Sequence, residues 1–239
     1  MTKIELYEKW WNGKLDRGLL PVIVSSRAQE TTRPKYWSGD WWTFGCTQPM
    51  FANKTISPKE LVDCIEYALS TLEFMGDSFP YVNMDFSGPG VVATFLGASL
   101  KVTQYSIWFY TESRPHINDL HFEYDVNNFW LCRIKEVVSE MKNHFGKQIL
   151  IGMPDLGGVT DIIASAFMGT EDFMLSFYDS PQDVSRVITE LCDLWHRYYS
   201  DFAALCNSGI HMSWGLLPST PPHLHVPIRC KLYAGKGHV

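Results

Sequence analysis

The chain has no run of basic residues, no CxxC pair, no glycine-rich phosphate loop and no apolar stretch long enough to span a bilayer. Each absence removes a class of function. A nucleic-acid surface needs clustered Lys and Arg to displace counterions from phosphates. With 20 basic against 26 acidic residues and a net charge of −6, nothing supports such a partner. The longest uncharged stretches, such as 86–100, are interrupted by Gly and Pro and fall short of the roughly 20 residues of a membrane helix. Met1-Thr2-Lys3-Ile4-Glu5 lacks the apolar centre of a secretion signal, so the expected location is the cytoplasm. The cysteines at 46, 64, 132, 192, 206 and 230 form no CxxC pair and have no His at zinc-finger spacing. Cys64, Cys132 and Cys192 fall among apolar residues of predicted helices, which favours reduced core thiols over a metal or disulfide role.

What is present is a large apolar inventory. Hydrophobic residues make up 46% of 239, with nine Trp, fourteen Phe and eleven Tyr. That suffices for a sizeable core, argues against disorder, and suits one domain or one large barrel. Strand-like runs alternate with amphipathic helices. Strands are expected at 19–25, 81–86, 100–110, 148–153 and 210–216, and helices at 4–12, 58–75, 88–96, 127–145, 159–168 and 181–206. Ser57-Pro58-Lys59-Glu60 is a helix start, with Ser as cap, Pro at the first position and Glu in the first turn.

Strand, helix, strand in succession argues for a parallel sheet with right-handed crossovers. An open doubly wound sheet and a (β/α)8 TIM barrel both fit. The first strand runs into Ser25-Ser26-Arg27 with neither GxGxxG nor GxxxxGK[ST], which favours the barrel. Five strands used up by Leu216 leave no room for three more, so the expected fold is a C-terminally incomplete α/β barrel over 1–218.

Active-site groups of such a barrel lie at the carboxyl ends of its strands. Arg27 follows strand one and suits a carboxylate; its alternative is a surface pair with Glu30 or Asp40. Asp85, Ser87 and Gly88 follow strand two, Trp108 and Tyr110 end strand three, and Trp214 lies near the end of strand five. Asp155 follows strand four and is a candidate for a polar substrate group, or else the cap of the helix beginning near Gly158. Gly157-Gly158 ahead of a helix is a weak anion signal. The aromatic residues fit a core equally well, and no nucleophile–base pair stands out. His116 and His121 have the wrong spacing for two ligands on one helical face. The substrate-contact candidates are therefore Arg27, Asp85, Ser87, Trp108, Asp155 and Trp214.

Phe86-Ser87-Gly88-Pro89-Gly90-Val91-Val92-Ala93-Thr94-Phe95-Leu96-Gly97-Ala98, then Ser106-Ile107-Trp108-Phe109, then Ile151-Gly152-Met153-Pro154-Asp155-Leu156-Gly157-Gly158-Val159-Thr160-Asp161, Met168-Gly169-Thr170-Glu171-Asp172 and Tyr178-Asp179-Ser180-Pro181 together resemble the uroporphyrinogen decarboxylase superfamily over about 4–218. The resemblance implies a (β/α)8 barrel and either cofactor-free decarboxylation, as in porphyrin metabolism, or corrinoid-linked methyl transfer on a small methylated substrate. Zinc or a corrinoid partner is implied only for a longer relative, because the ligands would lie beyond this terminus. The decarboxylases carry an Arg-rich loop after strand one and an Asp in an FSD motif after strand two. Here that loop has only Arg27 and Arg33, and Gly88 stands at the Asp position.

Residues 219–239 break the pattern. His225 to Cys230 admits codons which, read one nucleotide later, give Met-Ser-Gln-Ser-Asp, close to the SQSD run the resemblance leads one to expect. The expectation is an out-of-frame tail on a truncated lyase or methyltransferase of little activity. Its partners would be a small molecule and, through the open barrel, other copies of itself. The alternative is a non-enzymatic binding protein built on the partial barrel.

Overall fold

The computed structural model describes residues 2–25, 32–37, 47–82, 84–103 and 107–206. The helices begin where side chains can satisfy their orphan amides. Thr2 and Ser57 each accept from the backbone N–H three residues on, while Glu5 and Glu60 reach back to the cap amide, so capping boxes start α1 (Lys3–Trp11) and α3 (Pro58–Ser70). Asn128 accepts from the N–H groups of Trp130 and Leu131 at the start of α5 (Phe129–Phe145), and Gly146 ends it at φ +58°. Residues 88–96 contain only the short α4 (Val92–Phe95). Segment 159–168 is helical as expected, as α6 (Val159–Ile162) running into a π-helical turn, Ile163–Met168. α8 (Pro181–Leu205) has Pro at its first position. Two further helices, α2 (Thr47–Ala52) and α7 (Thr170–Asp179), lie outside the segments expected to be helical.

The molecule is a mixed α/β protein in which helix dominates. The described residues form no closed barrel: their six strands make three separate pairs. β1 (Pro21–Ser25) pairs antiparallel with β2 (Leu72–Gly76). The sequence pattern assigns 72–75 to the end of α3. The helix stops instead at Ser70, where the hydroxyls of Ser70 and Thr71 donate to the carbonyls of Tyr67 and Ala68, both at 2.7 Å. The expected strand 100–110 is a hairpin, β4 (Ser99–Val102) against β5 (Ile107–Tyr110). Each arm alternates by itself, so the pattern continues across the link at 103–106, which carries no Gly, Pro or Asn to mark a turn. β3 (Tyr81–Val82) runs parallel to β6 (Leu150–Ile151), beyond which the chain expected to extend strand two enters a 3₁₀ turn, Met84–Ser87. In a barrel, strand three would separate those two strands; here they are direct neighbours. Residues 210–216, expected as strand five, lie outside the described residues.

One core serves all these elements. α3 and α5 pack together, burying Leu61, Val62 and Ile65 on one side and Leu131, Ile134, Val138 and Met141 on the other. α8 closes the far side with Val184, Val187, Leu191, Tyr198 and Phe202. Each such side chain is worth about 1.5–3 kcal/mol of burial. Cys64, Cys132 and Cys206 are free thiols as expected, whereas Cys192 is disulfide-bonded. Among the described residues no helix is long and apolar enough to cross a membrane.

Candidate functional site

Two loops leave the carboxyl ends of the parallel pair. The one after β3 carries Gly88-Pro89-Gly90-Val91; the one after β6 carries Asp155-Leu156-Gly157-Gly158. They dock on one another. The carbonyl of Asp155 accepts from the amides of both Gly90 (3.1 Å) and Val91 (3.0 Å). The Asp155 carboxylate accepts from the amide of Gly157 at 2.9 Å, which folds its own loop back as an Asx turn rather than capping α6, whose cap is Gly158. Trp195 on α8 donates its indole N–H to the carbonyl of Gly157 at 2.9 Å and fixes the loop from behind.

Glycine is required at the contact. Gly157 has φ +75°, and a Cβ there would sit 2.5 Å from the Cα of Gly90. At Gly88 a Cβ would lie 2.8 Å from that of Ile107, at φ +85°. Position 88 is thus closed to any side chain.

Between the loops and the α6–π segment lies a cleft of about 230 Å³, lined by Pro89, Gly90, Ala93, Phe109, Asp155, Gly157, Gly158, Asp161, Ile162 and Ser165. Its floor is apolar, from Phe109, Ala93 and Ile162. Its polar groups are the carboxylates of Asp155 and Asp161 and the hydroxyl of Ser165, which donates to the Asp161 carbonyl at 2.6 Å. No Lys, Arg or His among the described residues lines it. The carboxyl ends of parallel strands are where α/β proteins bind ligands, and π-helical turns of the kind carrying Ser165 recur at functional sites.

Of the described residues expected to touch substrate, Asp155 alone lines this cleft. Ser87 is fully buried and donates to the carbonyl of Met84 at 2.9 Å. Asp85 belongs to the 3₁₀ turn; its side chain lies outside the described part. Trp108 is exposed, on the face of β5 opposite to Phe109, because side chains of a strand alternate. Arg27 and Trp214 lie outside the described residues. Asp161, Ser165 and Phe109 escape a sequence reading. An acid in the first turn of a helix reads as a dipole partner, and only the docking of the two loops makes it part of a cleft.

A larger hollow of about 540 Å³ lies between 32–36 and α3. Its acids are engaged in local structure: Glu60 in the capping box, Asp63 with Lys59 at 2.9 Å, Glu66 with His144 at 3.0 Å. Among the described residues no three His, Cys, Asp or Glu side chains converge as metal ligands. No family model, no curated protein and no solved structure matches the chain.

Proposed function

We propose that the chain is an α/β protein related to the (β/α)8 barrels of the uroporphyrinogen decarboxylase type, and that the cleft between 88–91 and 155–165 is its substrate site. One observation carries the reading. The two longest segments of the resemblance, 86–98 and 151–161, are remote in sequence yet meet through the Asp155 carbonyl and the Gly90–Gly157 contact, beyond the carboxyl ends of the parallel strands. The parent reaction is a decarboxylation or a methyl transfer, with a small molecule as partner. In a (β/α)8 barrel the 99–110 segment would separate β3 from β6, which are direct neighbours here, so the activity expected of this chain is low.

The test is ligand binding by the full chain, read by calorimetry, with Gly158→Val as the blocked control. The backbone of Gly158 accepts a side chain (φ −83°), and a Cβ there meets only the tip of Asp161, at 2.6 Å. A small ligand that binds the wild type and not the blocked variant supports the proposal; ligands indifferent to the block overturn it. A second reading, a non-enzymatic partner protein, is favoured by one feature, the exposed Met174, Leu175, Phe177 and Tyr178 on α7.

A further inference from the structure

Far from the cleft, the turn that ends α1 places an Asn-Gly pair at an exposed helix terminus. We infer that Asn12 is a modification site: it deamidates through a succinimide and leaves isoaspartate in the main chain, the group that isoaspartate-specific methyltransferases recognise.

Asn12 alone among the asparagines precedes a glycine, and no aspartate does. Glycine puts no Cβ in the way of ring closure and lets the next peptide rotate freely. In the folded chain that peptide is held. The amide of Lys14 donates to the Lys9 carbonyl at 2.8 Å and the amide of Gly13 to the Trp10 carbonyl at 3.0 Å, with Gly13 at φ +63°. This is a Schellman cap. The Asn12 side-chain amide lies back on the helix, donating to the Glu8 carbonyl at 2.7 Å. Reaction therefore passes through an opened cap, and two features make that opening local. α1 has nine residues, too few to hold its last turn by helix formation alone. Asn12 and Gly13 are exposed, and nothing lies within 4 Å of a Cβ built at Gly13, so no packing has to be broken.

Once the cap opens, the deprotonated Gly13 nitrogen attacks Cγ of Asn12. The Cγ–Nδ2 bond breaks and ammonia leaves, closing a five-membered imide. Water then cleaves one of the two imide bonds. Cleavage at Cγ gives aspartate at position 12; cleavage at the main-chain carbonyl gives isoaspartate. Water enters, ammonia departs and nothing is oxidised. Both products weaken the cap. A carboxylate at the carboxyl end of α1 opposes the helix dipole, and the extra methylene of isoaspartate displaces the amides of Gly13 and Lys14 from their carbonyls. The buried Leu6 and Tyr7, the latter edge-on to Phe79, belong to the same short helix.

The experiment incubates the full chain in mildly alkaline buffer and follows the tryptic peptide 10–14 by mass spectrometry. In parallel, an isoaspartate-specific methyltransferase transfers label from S-adenosylmethionine to the same samples. Wild type and Asn12→Gln are compared folded, and wild type and Gly13→Ala are compared in urea, where the cap is absent from both. In the folded wild type the peptide is expected to gain one mass unit, to separate into two products and to accept the methyl label. Asn12→Gln loses the label from this peptide, because its ring would need six members. Wild type reacts faster in urea than folded, since the cap no longer holds the Gly13 amide. In urea Gly13→Ala reacts about tenfold more slowly than wild type, as a Cβ beside the attacking nitrogen requires. Amide exchange at Gly13 and Lys14 quickens in the modified chain. A folded wild type whose peptide 10–14 keeps its mass overturns the inference, and so does a mass gain without methyl acceptance, which marks direct hydrolysis. Equal rates for Gly13→Ala and wild type in urea overturn it as well.

Discussion

Arg133 is buried in α5, and its guanidinium donates to four main-chain carbonyls: Nε to Phe51 at 2.8 Å, and Nη2 to Ile56 at 2.8 Å, Asn53 at 3.1 Å and Met50 at 3.3 Å. It thereby satisfies the carboxyl end of α2 and the adjoining turn, where a cation is favoured by the helix dipole. Burial lowers its pKa without bringing it near neutrality. Arg133→Met keeps the stem and strands the carbonyls, so urea unfolding is expected to show a loss of about 3 kcal/mol. Asp77 has the opposite role, as an anion held by donors. Arg17 binds it bidentately at 2.7 and 2.9 Å and the amide of Leu20 adds a third bond at 2.8 Å. The hydrogen bonds from Arg17 and then from Leu20 hold its carboxyl well below the usual carboxylate range. A depressed folded pKa stabilises the native state above the unfolded value of about 3.9, and the contribution is lost as pH falls through the folded one. Asp77→Asn is therefore expected to be less stable than wild type at pH 7, with the gap closing below about pH 4 in a series of unfolding curves. Tyr198 shows a cost of the opposite kind. Its ring packs on Phe95 and stacks on Tyr124, but its hydroxyl is buried with no hydrogen-bond partner among the described residues, and burial raises its pKa. Tyr198→Phe should leave stability unchanged or raise it by about 1 kcal/mol.

Between elements, the contact to break is the one joining the two loops. Gly157→Ala meets the Cα of Gly90 at 2.5 Å and must hold φ near +75°, so backbone has to move. Gly13, also at positive φ (+63°) but with open space around it, separates the two effects. Gly13→Ala should cost about 1 kcal/mol of backbone strain, and Gly157→Ala at least twice that, together with loss of the cleft. Equal costs in denaturant unfolding would mean that the loops do not bear on one another. How far these elements are legible in the sequence depends on the range of the force that makes them. α3 is readable because Ser57, Pro58 and Glu60 act within one turn, and α5 and α8 because their apolar stripes repeat. β2 is not readable: Leu72-Glu73-Phe74-Met75 continues a helical pattern as well as it alternates, and its partner β1 is remote in sequence. The hairpin β4–β5 hides because its link lacks turn residues and the alternation runs through it. Asp155 is legible as a loop acid after a strand. Asp161 and Ser165 join it only through the docking of the two loops.

For the molecule as a whole, α/β character follows from composition and pattern, while the arrangement of strands does not, since periodicity records which face is buried and not which strand lies alongside. Among the described residues, the pairing of β3 with β6 and the antiparallel β1–β2 pair leave three short ribbons resting on a mainly helical body. A two-stranded ribbon is marginal by itself, so this body must carry most of the stability. Its surface has one conspicuous weakness. α7 buries Phe173 and Ser176 and presents Met174, Leu175, Phe177 and Tyr178 to solvent, the last 86% exposed. Four large apolar side chains on one short helix make a contiguous patch of the kind monomers rarely tolerate. The acids beside it, Glu171, Asp172 and Asp179, repel like copies only weakly at physiological salt, where screening acts over about 8 Å. Sedimentation velocity is therefore expected to show species growing with protein concentration. Leu175→Lys combined with Tyr178→Lys should return the chain to a single slow boundary. Because neither side chain belongs to the core, the unfolding midpoint should move by no more than about 0.5 kcal/mol equivalent. A wild-type chain that stays a single monomeric boundary across the concentration range would contradict the prediction and show that the patch is covered.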